Sequence, residues 1–320
     1  MTLSAIEPTV IFMGTPQFAV PSLRALAEGP YRITVVTQPD RPAGRGGKLT
    51  PPPVKIAAEE IGMNILQPLT LKDPDLRAHL ASLSPEVTVL VAYGEYIAPA
   101  LLDLPRRSSI NLHPSLLPRW RGSTPIQSAI LAGDAETGVS IIRMDRGLDT
   151  GPILSQRRVP INPNETTPEL SERLAQIGAD LLAETLPLWL RGEIEEQPQI
   201  EDGALLTHVL KKEDGLINWH TPAEQIALHV RAMQPWPGTY TYWQGRLLKI
   251  RRAVLALIEV KDIPGTVSVS PSKNLLVHTT DGALELLEVQ LEGKPPIEAR
   301  ALLAGYSSII GATLGAQLDV

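Results

Sequence analysis

Ser109–Gly122 reads S-I-N-L-H-P-S-L-L-P-R-W-R-G, and it opens as a short strand. Asn111 and His113 are two apart, so they share one face at a spacing of about 7 Å, while Ile110 and Leu112 take the other. Pro114 cannot donate to a ladder, so the strand stops there and hands over to a loop. An amide beside an imidazole at the carboxyl end of a parallel strand stands where open α/β sheets build their sites. Taken alone, a His-Pro pair reads equally well as a core histidine with a polar neighbour. The surrounding chain has to decide.

Outward from this stretch, the first half alternates. Apolar runs at Val10–Met13, Ile33–Thr37, Asn64–Leu66 and Val87–Ala92 predict strands, with Ser109–His113 and Val139–Arg143 following. Helical spacing over Phe18–Ala27, Val54–Ile61, Pro74–Leu83, Ile126–Ala132 and Pro168–Leu190 fills the intervals, and Ile153–Val159 reads as an edge strand. Such alternation predicts a doubly wound, mostly parallel α/β sheet with right-handed crossovers. Gly192–Gly203 is acidic and has little periodicity, which reads as a linker. Beyond it, one helix over Pro222–Met233 precedes short strands at Thr239–Trp243, Leu247–Ala253, Gly265–Val269, Leu275–Thr279 and Ala283–Val289. Short strands with Gly at the corners predict a small, OB-like β-barrel. The expected division is 1–190, a linker over 191–207, and 208–320.

With 320 residues the chain has ample apolar content for a core, and it has no cysteine, which excludes a disulfide framework and a thiolate metal site. No apolar run approaches the roughly 20 residues of a spanning helix, and no signal-peptide order opens the chain, so a cytoplasmic protein without a membrane partner is expected. The net charge of -6 argues against indiscriminate nucleic-acid binding. Residues 205–252 nevertheless hold seven basic against three acidic side chains, among them Lys211, Lys212, Arg246 and Lys249. Such a stripe is either a solvated face or a local polyanion contact.

Several common sites are absent. Gly14-Thr15-Pro16 does not continue as G-x-G-x-x-G, and Arg45-Gly46-Gly47-Lys48 lacks the first Gly and the Ser/Thr of a Walker motif. Neither H-E-x-x-H nor G-x-S-x-G occurs, and the scattered histidines predict no metal. What remains is Gly147-Leu148-Asp149-Thr150-Gly151, one carboxylate in a glycine-flanked loop that can approach another element closely. Alone, Asp149 reads more readily as an Asx-turn residue. Because one helix and one strand separate it from Asn111 and His113, the three are expected to converge. An amide N–H and an imidazolium stabilise an oxyanion, and a carboxylate accepts the proton of an attacking amine, so the trio suits acyl transfer without a nucleophilic side chain.

Phe12–Pro16, Thr37–Gly46, Val91–Gly94, Asn111–Gly122, Gly133–Gly138, Gly147–Gly151 and Pro235-Trp236-Pro237 together resemble the methionyl-tRNA formyltransferases. This is a family within the 10-formyltetrahydrofolate-dependent transferases. The resemblance implies a Rossmann-like formyltransferase domain followed by an OB-like tRNA-binding domain, with Asn111, His113 and Asp149 catalytic. It further implies that Ser115, Leu116, Leu117 and Pro118 line the folate site, with Tyr93 and Gly94 at the same sheet edge. The donor would be 10-formyltetrahydrofolate and the acceptor initiator methionyl-tRNA, on a monomeric protein. Arg41, Arg45 and Lys48 lie in the Gln38–Pro53 loop, which the resemblance places against the tRNA acceptor stem; the commoner reading of such a loop is a solvated basic face. Gly47 stands where a second lysine is frequent. Lys211, Lys212, Arg246 and Lys249 are the further tRNA candidates, and Arg119 and Arg121 face either the folate tail or RNA. Trp236, between two prolines, reads as a core aromatic at the domain junction rather than a stacking platform. Two other readings stand beside this one. The acceptor is a small amine such as glycinamide ribonucleotide or an amino sugar nucleotide, or the chain binds RNA without catalysis.

Overall fold

The computed structural model describes residues 7–43, 47–256, 258 and 262–315. Arg45 falls outside them. The chain forms two compact units, one of Met1–Pro125, Glu136–Pro160 and Ser171–Thr207, the other of Ile126–Ala135, Ile161–Leu170 and His208–Val320.

In the first unit the strands are β1 (Thr9–Gly14), β2 (Arg32–Val36), β3 (Arg41–Ala43), β4 (Lys48–Thr50), β5 (Asn64–Leu66), β6 (Val87–Val91), β7 (Ser109–His113), β8 (Glu136–Arg143) and β9 (Ile153–Pro160). The helices up to residue 191 are, in chain order, α1 (Val20–Ala27), α2 (Pro53–Glu60), α3 (Pro74–Ser82), α4 (Pro99–Leu102), α5 (Pro125–Leu131) and α6 (Thr167–Arg191), of which α5 beyond Pro125 and the first turn of α6 count with the second unit. One sheet runs in the order β5-β2-β1-β6-β7-β8-β9. Its first five strands are parallel. The central strands β1, β6 and β7 are buried along their whole length, as the near-continuous apolar runs of β1 and β6 require. On one face of β7, α6 comes so close that a Cβ on Gly178 would stand 2.9 Å from a Leu112 methyl. That leaves Asn111 and His113 to the opposite face.

The alternation does not carry through to β8, which runs antiparallel to β7, as β9 does to β8. Here the chain does not cross back along the sheet before pairing again. The chain therefore re-enters from the carboxyl edge, with Ser140 opposite His113 and Arg143 opposite Ile110. Residues 38–53, expected to be loop, hold the short β3–β4 hairpin, in which Arg41 faces Thr50.

The second unit contains α7 (Ala223–Ala232), β10 (Thr239–Trp243), β11 (Arg246–Ala256), β12 (Val267–Val269), β13 (Leu275–His278), β14 (Ala283–Leu291), β15 (Ile297–Glu298) and α8 (Ala299–Gly305). The antiparallel sheet β10-β11-β14-β13-β12 wraps a core of Trp219, Ile226, Trp243, Leu248, Ile250, Leu286 and Leu302. Residues 311–315 close it. Gly311 N and Ala312 O bond to Val267 on β12, and Gly315 N reaches Tyr242 O on β10. Along β11, buried Leu248 and Ile250 alternate with exposed Lys249 and Arg251. Trp236 is not a core residue: it is 55% exposed, because Gly238 N closes onto Met233 O and the turn between them stands outside the core.

Candidate active site

The parallel strands end at one edge, with Gly14 beside Val91 and Leu90 beside Asn111, so the segments after β1, β6 and β7 gather there. Asn111 and His113 are both buried. Asp149 reaches them by an indirect path. Since β8 ends opposite the start of β7, the loop from Met144 to Pro152 has to fold back, and its glycines make that possible. A Cβ on Gly151 would stand 1.8 Å from the Arg143 carbonyl oxygen, and one on Gly147 2.0 Å from Thr150 Oγ1. Asp149 itself takes φ +52, the left-handed region that Asp tolerates better than most residues.

The Asx turn in this loop belongs to Asp145, whose Oδ1 accepts from Gly147 N at 2.9 Å and Thr150 Oγ1 at 2.7 Å. Asp149 is left for the site. Its Oδ1 accepts from Asn111 Nδ2 at 3.2 Å, and its Oδ2 accepts from Gly122 N at 2.9 Å and lies 3.6 Å from His113 Nδ1. The other imidazole nitrogen, Nε2, is 2.9 Å from Trp120 O. A carbonyl only accepts, so Nε2 carries a proton and Nδ1 is the nitrogen turned toward the carboxylate. Asn111 has two amide hydrogens, and one bond to Asp149 leaves the second to donate. Ser109–Gly122 is thus tied together across the site: Asn111 and Gly122 hold the carboxylate, and Trp120 holds the imidazole.

A cavity of about 160 Å³ opens beside Asn111 and Asp149, walled by Leu90, Ile97, Leu102, Ile142 and Met144, with exposed Tyr96 and Leu148 among its lining. These apolar walls suit one flat ring next to the amide. No local pattern in the sequence marks them: Leu90 and Ile142 lie inside β6 and β8, and Ile97, Leu102 and Met144 in the segments that follow. Tyr93 and Gly94 instead line a second cavity of about 430 Å³, together with Thr15, Gln38, Arg41, Thr50 and Ala92. Thr15 Oγ1 donates to Tyr93 O at 2.8 Å. Burial, reinforced by the Glu95 carboxylate, pushes the Tyr93 phenol up to about 12, so it stays neutral.

Ser115–Pro118 lines neither cavity. Its polar groups bond within the protein: Ser115 Oγ to Arg119 O, Ser140 Oγ to Ser115 O, Leu117 N to Ser140 Oγ, and Gln156 Nε2 to Leu117 O. Arg121 is buried and donates to Gln199 and to both Glu201 oxygens, so its guanidinium is engaged within the protein. The guanidinium of Arg119 stacks 4.6 Å from the Trp120 ring centroid.

On the hairpin, Arg41 and Lys48 are exposed, and Arg41 donates to Gln38 Oε1 at 2.7 Å. The hairpin root is clamped: Asp40 accepts from Lys55 Nζ at 2.9 Å and Gln67 Nε2 at 2.8 Å. The Gln67 amide and then the Lys55 ammonium hold the Asp40 carboxyl below its ordinary range. In the second unit Lys211, Lys212 and Lys249 are exposed, and Arg246 is half-buried. The stripe is thinner than its composition suggests, since Arg251 pairs with Glu288 and Arg231 donates to Glu165 O. Among the described residues no His, Asp and Glu cluster could hold a metal ion, and no helix is long and apolar enough to cross a membrane.

Known proteins match this geometry across both units. Residues 8–186 fit the family described as formyl transferase, and residues 209–307 fit the formyl transferase C-terminal domain. A methionyl-tRNA formyltransferase of Chloroflexus aggregans is 49% identical over 298 residues, covering 92% of this chain and 96% of that one. One of Geotalea daltonii is 44% identical over 307 residues, covering 96% and 98%. A crystal structure of a sugar 3N-formyl transferase in the presence of dTDP and 5-N-formyl-THF superposes with a TM-score of 0.67 at 18% identity, over 90% of this chain and 99% of that one; at that identity it speaks for the fold alone. By its sequence over both units, this chain belongs to the formyl transferase family, among the methionyl-tRNA formyltransferases.

Proposed function

We propose that this protein transfers the formyl group of 10-formyltetrahydrofolate to the α-amino group of initiator methionyl-tRNA. The observation that carries the chemistry is the meeting of Asn111, His113 and Asp149 beside an apolar cavity at the carboxyl edge of the sheet. The kinship with methionyl-tRNA formyltransferases through both units supports the acceptor. On this reading residues 1–190 catalyse, 191–207 connect, and 208–320 bind tRNA. The enzyme acts as a cytoplasmic monomer.

The steps follow from the residues. The pterin end of the folate takes the cavity beside Asn111, which brings the formyl carbon to the free amide hydrogen. Ser115–Pro118 frames the site by carrying His113 and Trp120. The aminoacyl end enters on the side of the hairpin, through the cavity lined by Gln38, Arg41 and Tyr93. The amine lone pair forms the new C–N bond while the formyl oxygen gains the charge, which Asn111 Nδ2–H stabilises. Collapse breaks the bond to N10 of the folate. One proton has to travel from the amine to N10, and Asp149 Oδ2 with His113 Nδ1 provides two acceptors 3.6 Å apart for that passage, directly or through a water.

The test incubates purified protein with 10-formyltetrahydrofolate and either charged initiator Met-tRNA or glycinamide ribonucleotide. Formyl-Met-tRNA is the expected product. Formylation of the ribonucleotide with none of the tRNA would replace the acceptor, and formylation of neither would leave RNA binding as the function.

A further inference from the structure

The acidic stretch that reads as a linker in sequence is bonded into the first unit. Gln197 exchanges backbone hydrogen bonds with Ile153 at 2.8 and 2.9 Å. Arg121 N donates to Leu205 O and Thr207 N donates to Arg121 O, both at 2.8 Å. Between these ties lies Gln199. Its Nε2 donates to two carbonyl oxygens of the catalytic loop, Asp149 O and Gly151 O, each at 2.7 Å. Its Oε1 accepts from Arg121 Nε at 3.1 Å and Nη2 at 2.9 Å. A guanidinium only donates and a carbonyl only accepts, so the amide has one orientation here. Glu201 takes the remaining edge of the guanidinium through Nη1 at 3.1 Å and Nη2 at 3.0 Å.

We propose that Gln199, held in orientation by Arg121, is a positioning residue that keeps Asp149 in its left-handed backbone conformation with the carboxylate aimed at Asn111 and His113. An Asp at φ +52 persists only where its surroundings over-determine it. Two amide hydrogens on the carbonyls of residues 149 and 151 fix the peptides that follow Asp149 and Gly151, and Gly122 N fixes the carboxylate. Arg121 serves both ends, because the residue after it supplies that N–H. The inference rests on Asp149 taking part in the reaction.

Gln199→Glu is the discriminating variant. It keeps shape and strengthens the contact to Arg121, so a segment that is only tied down stays tied down. It also sets an acceptor against two carbonyls and removes both bonds to the catalytic loop. In the full-length protein, kcat should fall about 10²-fold, the loss expected of a misplacement near 1 Å, while KM for folate and Met-tRNA stays close to wild type. The second measurement is a double-mutant cycle with Asp149→Asn. Because Gln199 acts through Asp149, the combined variant should be no slower than Asp149→Asn alone. Losses that multiply in the combined variant, or an unchanged kcat in Gln199→Glu, overturn the proposal. Full activity in Asp149→Asn overturns the role of Asp149 itself, and with it this inference.

Discussion

The candidate active site and the β3–β4 hairpin stand at the same edge of one sheet and are built on opposite principles. Around Asn111, His113 and Asp149 the polar groups are buried or half-buried, and each has a protein partner at hydrogen-bond distance or close to it. On the hairpin, Arg41 and Lys48 are exposed, and order is concentrated at the root, where Lys55 and Gln67 grip Asp40. A site that stabilises a developing charge must hold its donors in place before the charge appears. A surface that meets a polyanion works through long-range attraction and tolerates looser geometry. On the proposed reading, chemistry and acceptor capture are separable properties of this fold, and substitutions should split along that line.

The largest effect should come from Asn111→Ala. Removing one oxyanion donor lowers turnover by about 10²- to 10³-fold, and tRNA affinity, measured by filter binding, should hold within about twofold. A parallel loss of affinity would merge the two regions into one binding surface. Next is Gly151→Ala, whose Cβ would meet the Arg143 carbonyl at 1.8 Å. The loop cannot fold back unless the backbone shifts, so kcat should drop at least about tenfold and stability by roughly 1–3 kcal/mol, read by denaturant melts. Retention of both would mean that Asp149 reaches Asn111 by another path.

The hairpin should yield smaller changes. Lys48→Ala should raise KM for Met-tRNA a few-fold and reduce the slope of log affinity against log salt by about one, with folate binding unaltered; an unchanged slope would return Lys48 to a solvated face. The root clamp carries a pH signature. Because the folded Asp40 carboxyl sits below its ordinary value, its stabilising contribution is complete above that value and is lost as pH falls through the lowered one. Acidification should therefore loosen the hairpin before the sheet, seen as earlier amide exchange at Lys48–Thr50. Asp40→Asn should show that loosening at every pH.

How far these regions can be read from sequence follows the range of their interactions. The parallel strands announce themselves through local apolar runs, and the Asn-x-His strand with its glycine-flanked Asp is visible because each motif is a few residues long. The direction of β8 is not visible, since Val139–Arg143 is equally apolar either way and nothing local records which way it pairs with β7. The cavity walls come from β6 and β8 and from the segments after them, which no local pattern joins. Gln199 looks like linker because its worth lies in Arg121 and in two carbonyls about 50 residues away in the chain. Trp236 misleads for the opposite reason: its prolines signal a turn, and turns face outward.

Single-turnover formylation of Met-tRNA by wild-type protein and Asn111→Ala, followed across a salt series, bears most directly on the separation of chemistry from capture. The plateau rate at saturating substrates should be about 10²-fold lower in the variant, with the two salt slopes of kcat/KM superimposable. An unchanged plateau, or a variant whose salt slope differs from wild type, would contradict the assignment of Asn111 to the reacting formyl group.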